Sequence, residues 1–470
     1  MKLKSRIFLS MFIIASLVVV SGFGCKQTNP KKYLINLEVW GLFDDQDTFA
    51  EIIDNYKKTN PNIGKITYKK LMPDTYKQEV MDALAAGNGP DIFLIQNNWL
   101  APFANKIYPA PLTFLTEKRF KDNFVDVVAQ DFLNTDGAYA VPLSVDSLGL
   151  YYNKDLFNAA GITNPPKDWN EFVETSRKLT KLDASNQIVI SGAAMGTAYN
   201  INRSTDILNL LMLQNQTEMI DATGGRAMFD QIAKKEGRSS IPGQEALDFY
   251  TQFANSSSSQ YSWNSKMHYS TDAFSEGTLG MMVNYSWQMD TIAKKSPKLN
   301  FAVAPVPQLP ESVPVNYANY WAFAVAKNKT PDTAGIPPAQ AALVTNDIRV
   351  AEAWGFLLYL TTKPEQSVAT STGVSGAGQT VNLNFDPAKN YLEKTHKVAA
   401  RRDLIEQQKT DAKLGPFAEG NLIAKNWYQI NSEAIEYLFA DMINQVNRGQ
   451  SSVADALKTA AVAVSQMMSK

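Results

Sequence analysis

Aromatic rings standing close to amides and carboxylates are the side chains in this sequence with the most chemistry to offer. Trp40 comes shortly before Asp44 and Asp45, Asn97 and Asn98 run directly into Trp99, and one serine separates Tyr285 from Trp287. Asp146, Asn200, Trp321 and Trp427 are further candidates. A flat ring covers the apolar C–H face of another ring, and a planar carboxylate or amide takes a pair of hydroxyls. Together they suit a sugar unit, apolar on its faces and hydroxylated around its rim. With 8 Trp and 19 Tyr available, position decides which rings matter. Trp169, Trp263 and Trp354 read as core.

Other chemistries lack parts. Cys25 is the only cysteine, so no intramolecular disulfide can form, and only His268 and His396 can lend imidazole to a metal or a triad. No metal and no cofactor is expected. A net charge of −1 leaves no whole-chain positive field for nucleic acid. A secreted glycoside hydrolase or lyase stays open, because it needs only two carboxylates about 5–9.5 Å apart and acids are plentiful. Against it, no motif sets two acids on neighbouring strand ends.

These side chains depend on strand ends to position them. Residues 34–40 alternate as a strand does; Phe49, Ile52, Ile53 and Tyr56 then mark one helix face, which Asn60-Pro61 ends. A second strand over 66–71, a helix through Tyr76, Val80, Met81 and Leu84, and a third strand at 91–95 make an α/β pattern with a mostly parallel sheet. Open α/β sheets bind ligands beyond the carboxyl ends of their strands, where Trp40, Asp44, Asp45, Asn98 and Trp99 fall. Asp44 and Asp45 have an alternative use with Asp47, as caps of the first helix. Strands are further predicted at 138–142, 148–153, 280–284, 301–304 and 321–326, and helices at 168–182, 204–215 and 244–255. Asp168 and Glu171 form a capping box. From Arg349 onward the chain reads as helical, with core stripes from Ile435 to Val446 and Val453 to Val464. A chain of 470 residues, 45% hydrophobic, is long enough for at least two cores.

The N-terminus bears on compartment. Lys2, Lys4 and Arg6 precede an apolar run from Ile7 to Val20, the pattern of a secretory signal over residues 1–24. Ser21-Gly22-Phe23-Gly24-Cys25 resembles a bacterial lipobox, whose cysteine takes a diacylglycerol; Gly22 departs from the usual apolar residue three before the cysteine. An uncleaved anchor is the alternative, since Ile7 to Gly24 approaches the roughly 20 residues that span a bilayer. Both put the rest of the chain outside the cytoplasm. Residues 25–32 have the polar, Pro-containing composition of a tether.

A series of short motifs, in order from Leu34, resembles the bacterial extracellular solute-binding proteins of the maltose-binding type. They are Ala85-Ala86-Gly87-Asn88-Gly89-Pro90-Asp91-Ile92-Phe93, Tyr139-Ala140-Val141-Pro142-Leu143, Leu150-Tyr151-Tyr152-Asn153-Lys154-Asp155-Leu156-Phe157 and Pro165-Pro166-Lys167-Asp168-Trp169. Phe274 to Trp287, Ala304-Pro305-Val306-Pro307 and Asn319-Tyr320-Trp321 complete the set. The resemblance implies a two-lobed α/β fold of the periplasmic-binding-protein type with discontinuous lobes. Residues 33–143 and 303–348 would form one lobe, residues 144–302 and 349–470 the other, with crossing strands near 141–147 and 300–320. It implies a monomeric component of an ABC sugar importer, not an enzyme, that holds a sugar or oligosaccharide in the interlobe cleft and delivers it to permease subunits by lobe closure. By position in the motifs, Trp99 corresponds to a sugar-contacting aromatic and Asp146 to a carboxylate at the first crossing. Trp287 corresponds to the second-lobe tryptophan that stacks on sugar, and Trp427 to a second stacking position. Asp146 has a hinge hydrogen-bonding role as its alternative. Trp321 is a candidate cleft wall, and Asn200 lies in a loop, 192–202, within reach of the ligand. Related proteins take glycerol phosphates, polyamines or iron, and a membrane sensor is an alternative partner to an importer. No arginine cluster near the candidate loops and scarce histidine favour sugar.

Overall fold

The computed structural model describes residues 33–235, 238–364 and 385–469. Cys25 and the residues read as a signal and a tether lie outside them. The opening segment runs β1 (Ile35–Gly41), α1 (Gln46–Thr59), β2 (Ile63–Lys70), α2 (Pro73–Ala85), β3 (Ile92–Gln96) and α3 (Asp126–Phe132). The middle of the chain supplies β4 (Gly149–Asn153), α4 (Trp169–Leu179), β5 (Lys181–Leu182), β6 (Ile188–Ala193), α5 (Ser204–Gln214) and α6 (Pro242–Gln252). It continues with β7 (Leu279–Asn284), α7 (Gln288–Lys295) and β8 (Phe301–Pro305). Then follow β9 (Asn316–Tyr317), β10 (Trp321–Val325), α8 (Asn346–Thr361), α9 (Pro387–Thr395), β11 (Ala424–Lys425), α10 (Ser432–Asn447) and α11 (Val453–Met468).

Local sequence sets several of these boundaries. Pro73 opens α2, where its missing N–H costs nothing, and Gly87, at φ 73°, turns the chain out of the helix. At the start of α4, Asp168 Oδ1 accepts from the Glu171 N–H at 2.8 Å, and Glu171 Oε2 accepts from the Lys167 N–H at 2.8 Å. The capping box read from the sequence is present, with Lys167 as the backbone donor. The strand expected at 138–142 shrinks to a two-residue pairing at Gly137–Ala138 and a single bridge from Val141 to Phe323. Pro142, which has no N–H, cannot extend it.

Two sheets form two lobes. The first has the order β10-β3-β1-β2, with β1 parallel to β2 and β3, and β10 antiparallel to β3. The second has the order β8-β4-β7-β6-β5, in which β7 is parallel to β6 and antiparallel to β4. Between them β9 pairs with β11 in a short parallel crossing.

The expected lobe boundaries need two corrections. β8 pairs with β4, so residues 303–305 belong to the second sheet. α8 packs on β10, β1 and α1, and α9 on α1 and α8, so both helices cover the first sheet and not the second. Fully buried Arg349 of α8 reaches Asp91 at 3.4 Å, beside β3, and Glu352 accepts from Asn60 Nδ2 at 2.6 Å and from Tyr33 Oη. An apolar stripe tells that a helix has a buried face, not which sheet covers it. Among the described residues no helix is long and apolar enough to cross a membrane.

Candidate functional site in the interlobe cleft

The first lobe presents its aromatics where the carboxyl ends of β1 and β3 meet the start of antiparallel β10. Trp321 opens β10 opposite Gln96, the last residue of β3. Phe43 stands edge-on to it at 5.6 Å and Trp99 edge-on at 4.9 Å. Phe43 is 49% exposed. Trp99 has no free face: Phe103 lies parallel to it at 6.0 Å, Tyr76 stacks at 6.5 Å, and Lys77 Nζ sits 4.9 Å from its ring centre. Trp99 therefore backs Trp321 and does not itself offer a platform.

On the second lobe Trp287 follows β7 and is 44% exposed. One of its faces lies on Tyr285, 4.5 Å away and 20° from parallel. Tyr285 is fully buried and its hydroxyl donates to Asp206 Oδ2 at 2.9 Å, so it supports Trp287 and does not meet a ligand. The Arg203 guanidinium lies 5.4 Å from the Tyr285 ring and 5.8 Å from the Trp287 ring, and pairs with Asp206 at 3.0 Å. Arg203 opens α5 with φ 62°, a conformation uncommon outside glycine.

Hydrogen bonds through the crossing segments link the two walls. Gln96 Nε2 donates to Asn319 Oδ1 at 3.0 Å, and the Asn319 N–H donates to the Asp146 carbonyl at 2.9 Å. Asp146 Oδ2 in turn accepts from the N–H and Oγ of Ser286, at 2.9 and 2.6 Å, directly before Trp287. Its other oxygen, Oδ1, is buried without a partner. Burial pushes this carboxyl from the ordinary 3.8 up to about 7, against the hydrogen bonds from Ser286.

A pH dependence follows. Between about pH 4 and pH 7 the folded protein keeps a proton on Asp146 that the unfolded chain releases, so this group's contribution to stability falls as pH rises through that window. Asp146→Asn removes the slope. In urea unfolding, the stability of the variant relative to the wild type is expected to rise from about pH 4 to about pH 7 and then level off. A difference that is flat across the range contradicts this environment for Asp146.

Between the walls lies a cavity of about 660 Å³, counting its mouth, lined from the first lobe by Gln96 to Asn98 and from the second by Arg203, Asp206, Glu433 and Glu436. Asn97, Asn98 and Gln429 also border a second compartment of about 890 Å³. Lys77 of α2 reaches across to Glu433 of α10 at 2.8 Å, an ion pair between the lobes. Both partners are part-exposed, so the pair contributes at most about 1 kcal/mol and is screened by salt. Lys77→Met is expected to weaken ligand binding by no more than about fivefold, and to remove most of its salt dependence, in titrations at low and high ionic strength. A larger loss at all salt concentrations means that Lys77 touches ligand.

The other expected site residues have different occupations. Trp40 is 8% exposed within the first-lobe core, with Lys69 Nζ 4.5 Å from its ring centre. Asp44 accepts from Tyr391 Oη and Lys397 Nζ, both at 2.8 Å, tying the loop after β1 to α9 and its flank. Asp45 pairs with Lys70 at 3.1 Å and stands at the N-cap of α1 without a side-chain cap bond. Asn200 is consumed within its own region: Nδ2 donates to the carbonyls of Asn264 and Met267, and Oδ1 accepts from Thr197 Oγ1. Trp427 is 6% exposed, stacked on Phe439, with Nε1 bound to Asn209 Oδ1 at 2.9 Å; only its margin reaches the second compartment. Thus, of the expected residues, Asn98 lines the cavity, Asp146 joins the hydrogen bonds between its walls, Trp287 and Trp321 stand beside those bonded segments, and Trp99, Tyr285 and Trp427 are enclosed. Phe43, Arg203, Asp206, Glu433 and Glu436 were missed. Glu433 and Glu436 carried one usable signal, acids on the polar side of a strongly striped helix.

Residues 40–367 match the family described as bacterial extracellular solute-binding protein. The chain belongs to that family. Among relatives of this solute-binding protein, a binding protein of Brucella abortus is 26% identical over 269 residues, covering 56% of this chain and 60% of the relative's length. A maltotriose-binding protein of Pyrococcus abyssi is 21% identical over 266 residues, 57% of this chain and 52% of its own. The solute-binding protein thus spans only about half to two thirds of the curated relatives it matches. A cyclic α-maltosyl-1,6-maltose binding protein from Arthrobacter globiformis shares the fold at a TM-score of 0.68 with 19% identity, over 93% of this chain and 99% of that one.

Proposed function

We propose that this solute-binding protein captures a carbohydrate outside the cytoplasm, anchored by a lipid on Cys25, and hands it to an ABC permease by lobe closure. Its action is binding without turnover. The observation that carries the reading is the exposed ring of Trp287, held flat by Tyr285 and beside Arg203, which lines the interlobe cavity with Asn98 and three acids, while Phe43 and Trp321 form a second pair of rings at the edge of the first sheet. Flat rings with amides and carboxylates between them are what a pyranose requires. Arg203 is neutralised by Asp206 in the same cavity, which leaves acids in excess and disfavours a phosphate ligand. The sugar-binding names among the relatives support the same ligand class.

The test is a thermal-shift screen of the empty protein against neutral sugars, sugar phosphates and polyamines. A ligand at 100 times its dissociation constant adds roughly 2.7 kcal/mol to stability, a readily seen shift. Shifts with neutral sugars support the proposal. Shifts confined to phosphates or polyamines replace the ligand class.

A further inference from the structure

Two carboxyls sit where the crossing segments meet the lobes. Asp131, on α3 of the first lobe, accepts at Oδ2 from Tyr320 Oη at 2.7 Å and from Asn426 Nδ2 at 2.8 Å. It thereby ties the segment before β10 and the segment after β11 to that lobe, and the Asn97 side chain faces it as well. Asp146, on the first crossing, accepts at Oδ2 from the N–H and Oγ of Ser286 in the second lobe. A proton on Oδ1 of either carboxyl leaves these bonds in place.

Neither carboxyl has a counter-ion: among the described residues no lysine, arginine or histidine pairs with Asp131 or Asp146. Tyr317 and Tyr320 face Asp131 and Tyr151 faces Asp146, and burial holds all three phenols above the ordinary tyrosine range, hence neutral. The cations of the cleft are engaged by other acids, Arg203 by Asp206 at 3.0 Å and Lys77 by Glu433 at 2.8 Å. Glu436, the remaining acid of the first compartment, is itself raised by burial and by Asp206. With no cation to hold them as anions, burial pushes Asp131 and Asp146 from the ordinary 3.8 up to about 7. Asp131 lines the second compartment, whose walls come from both lobes, so parting the lobes lets water reach it. Asp146 stands on a segment about which the lobes must turn.

We propose that the crossing region is a proton-sensitive hinge, in which Asp131 and Asp146 take up protons as the lobes close and release them as the lobes part. The empty protein therefore opens as the pH rises. A carboxyl that meets water on opening returns toward its ordinary range, so between about pH 4 and pH 7 the open form holds fewer protons than the closed form. Rising pH favours opening through that window and has no further effect above it. Protonation of Glu433 in acid breaks its pair with Lys77 and acts in the opposite direction, so the sign of the response identifies its source. The inference takes from the reading above only that the lobes close, and holds whatever ligand the cleft takes.

The width of the cleft is the readout. The Lys77 to Glu433 pair sets α2 and α10 opposite each other across it. Met72, 70% exposed just before α2, and Tyr437, 66% exposed on α10, accept dyes through Met72→Cys and Tyr437→Cys in a Cys25→Ser background. Energy transfer between the dyes is followed without ligand from about pH 5 to pH 8. It is expected to fall up to about pH 7 and then level off, the open-to-closed ratio rising by up to about tenfold per pH unit for each carboxyl. Asp131→Asn and Asp146→Asn, uncharged at every pH, are each expected to flatten the profile, and the double variant to stay closed throughout. Transfer that is constant or rises with pH overturns the hinge, as does a slope undiminished in every variant. Melting curves confirm that each variant is folded, and the parent's profile tests the sign without them. Either failure leaves the carbohydrate reading standing, because no sugar enters the measurement.

Discussion

Trp287→Ala is expected to weaken carbohydrate binding by at least about tenfold, roughly 1.4 kcal/mol, while leaving the empty protein folded and nearly as stable as the parent. The asymmetry comes from geometry. One face of the indole rests on Tyr285 at 4.5 Å and the other is open, with 44% of the residue exposed. Covering that open face removes apolar surface from water only when a ligand is bound, and an aromatic contact adds about 0.5–1.5 kcal/mol beyond area. Removing the ring from the empty protein gives up only the stack on Tyr285 and the contact with Arg203. Calorimetric affinity and urea unfolding on the same preparation separate the two effects. Equal affinity in variant and parent takes Trp287 out of the site, and a collapse of stability makes it a core residue.

Asp91→Ala is expected to destabilise the protein by about 3–5 kcal/mol in urea unfolding, the largest stability effect among the substitutions considered. Asp91 is fully buried at the start of β3, where its oxygens face Arg349 at 3.4 Å and Lys329 at 3.0 Å and accept from the Glu38 N–H at 2.7 Å. Without it, Arg349 is left in the interior without a carboxylate and Lys329 keeps only Glu38, at 3.7 Å. Arg349 is the residue that fastens α8 to the first sheet. Asp91→Asn keeps the acceptor for Glu38 but not the charge, and is expected to lose less. A loss below about 1 kcal/mol for Asp91→Ala would mean that apolar packing alone holds α8 in place.

Asp91 also marks the limit of what the residues disclosed in advance. Its motif, Gly87 to Phe93, reads as a helix end, a turn and a strand, and the structure contains all three. The ion cluster around Asp91 depends on Lys329 and Arg349, more than 200 positions away, which no local pattern connects to it. The same holds for the lobe assignment of α8 and α9: periodicity located the buried face of α8, and the covering sheet was set by long-range partners. At the candidate site, strand-end reasoning placed Asn98 and Trp99 just beyond β3, where Asn98 lines the cavity and Trp99 meets Trp321 of β10. It could not tell an exposed ring from an enclosed one. Trp99 has both faces covered by Phe103, Tyr76 and Lys77, whereas Phe43, an unremarked residue in the turn after β1, stands open. Asp44 and Asn200 were polar and well positioned in sequence, yet their hydrogen-bonding capacity is spent on Tyr391, Lys397 and neighbouring loop carbonyls.

The most direct test of capture without turnover is a calorimetric titration of a neutral oligosaccharide into the protein, with the sugar recovered afterwards and its chain length determined. Saturable heat at one sugar per protein, with every chain returned intact, is the predicted result. Absence of heat across the neutral oligosaccharides, or recovery of shortened chains, would contradict the account.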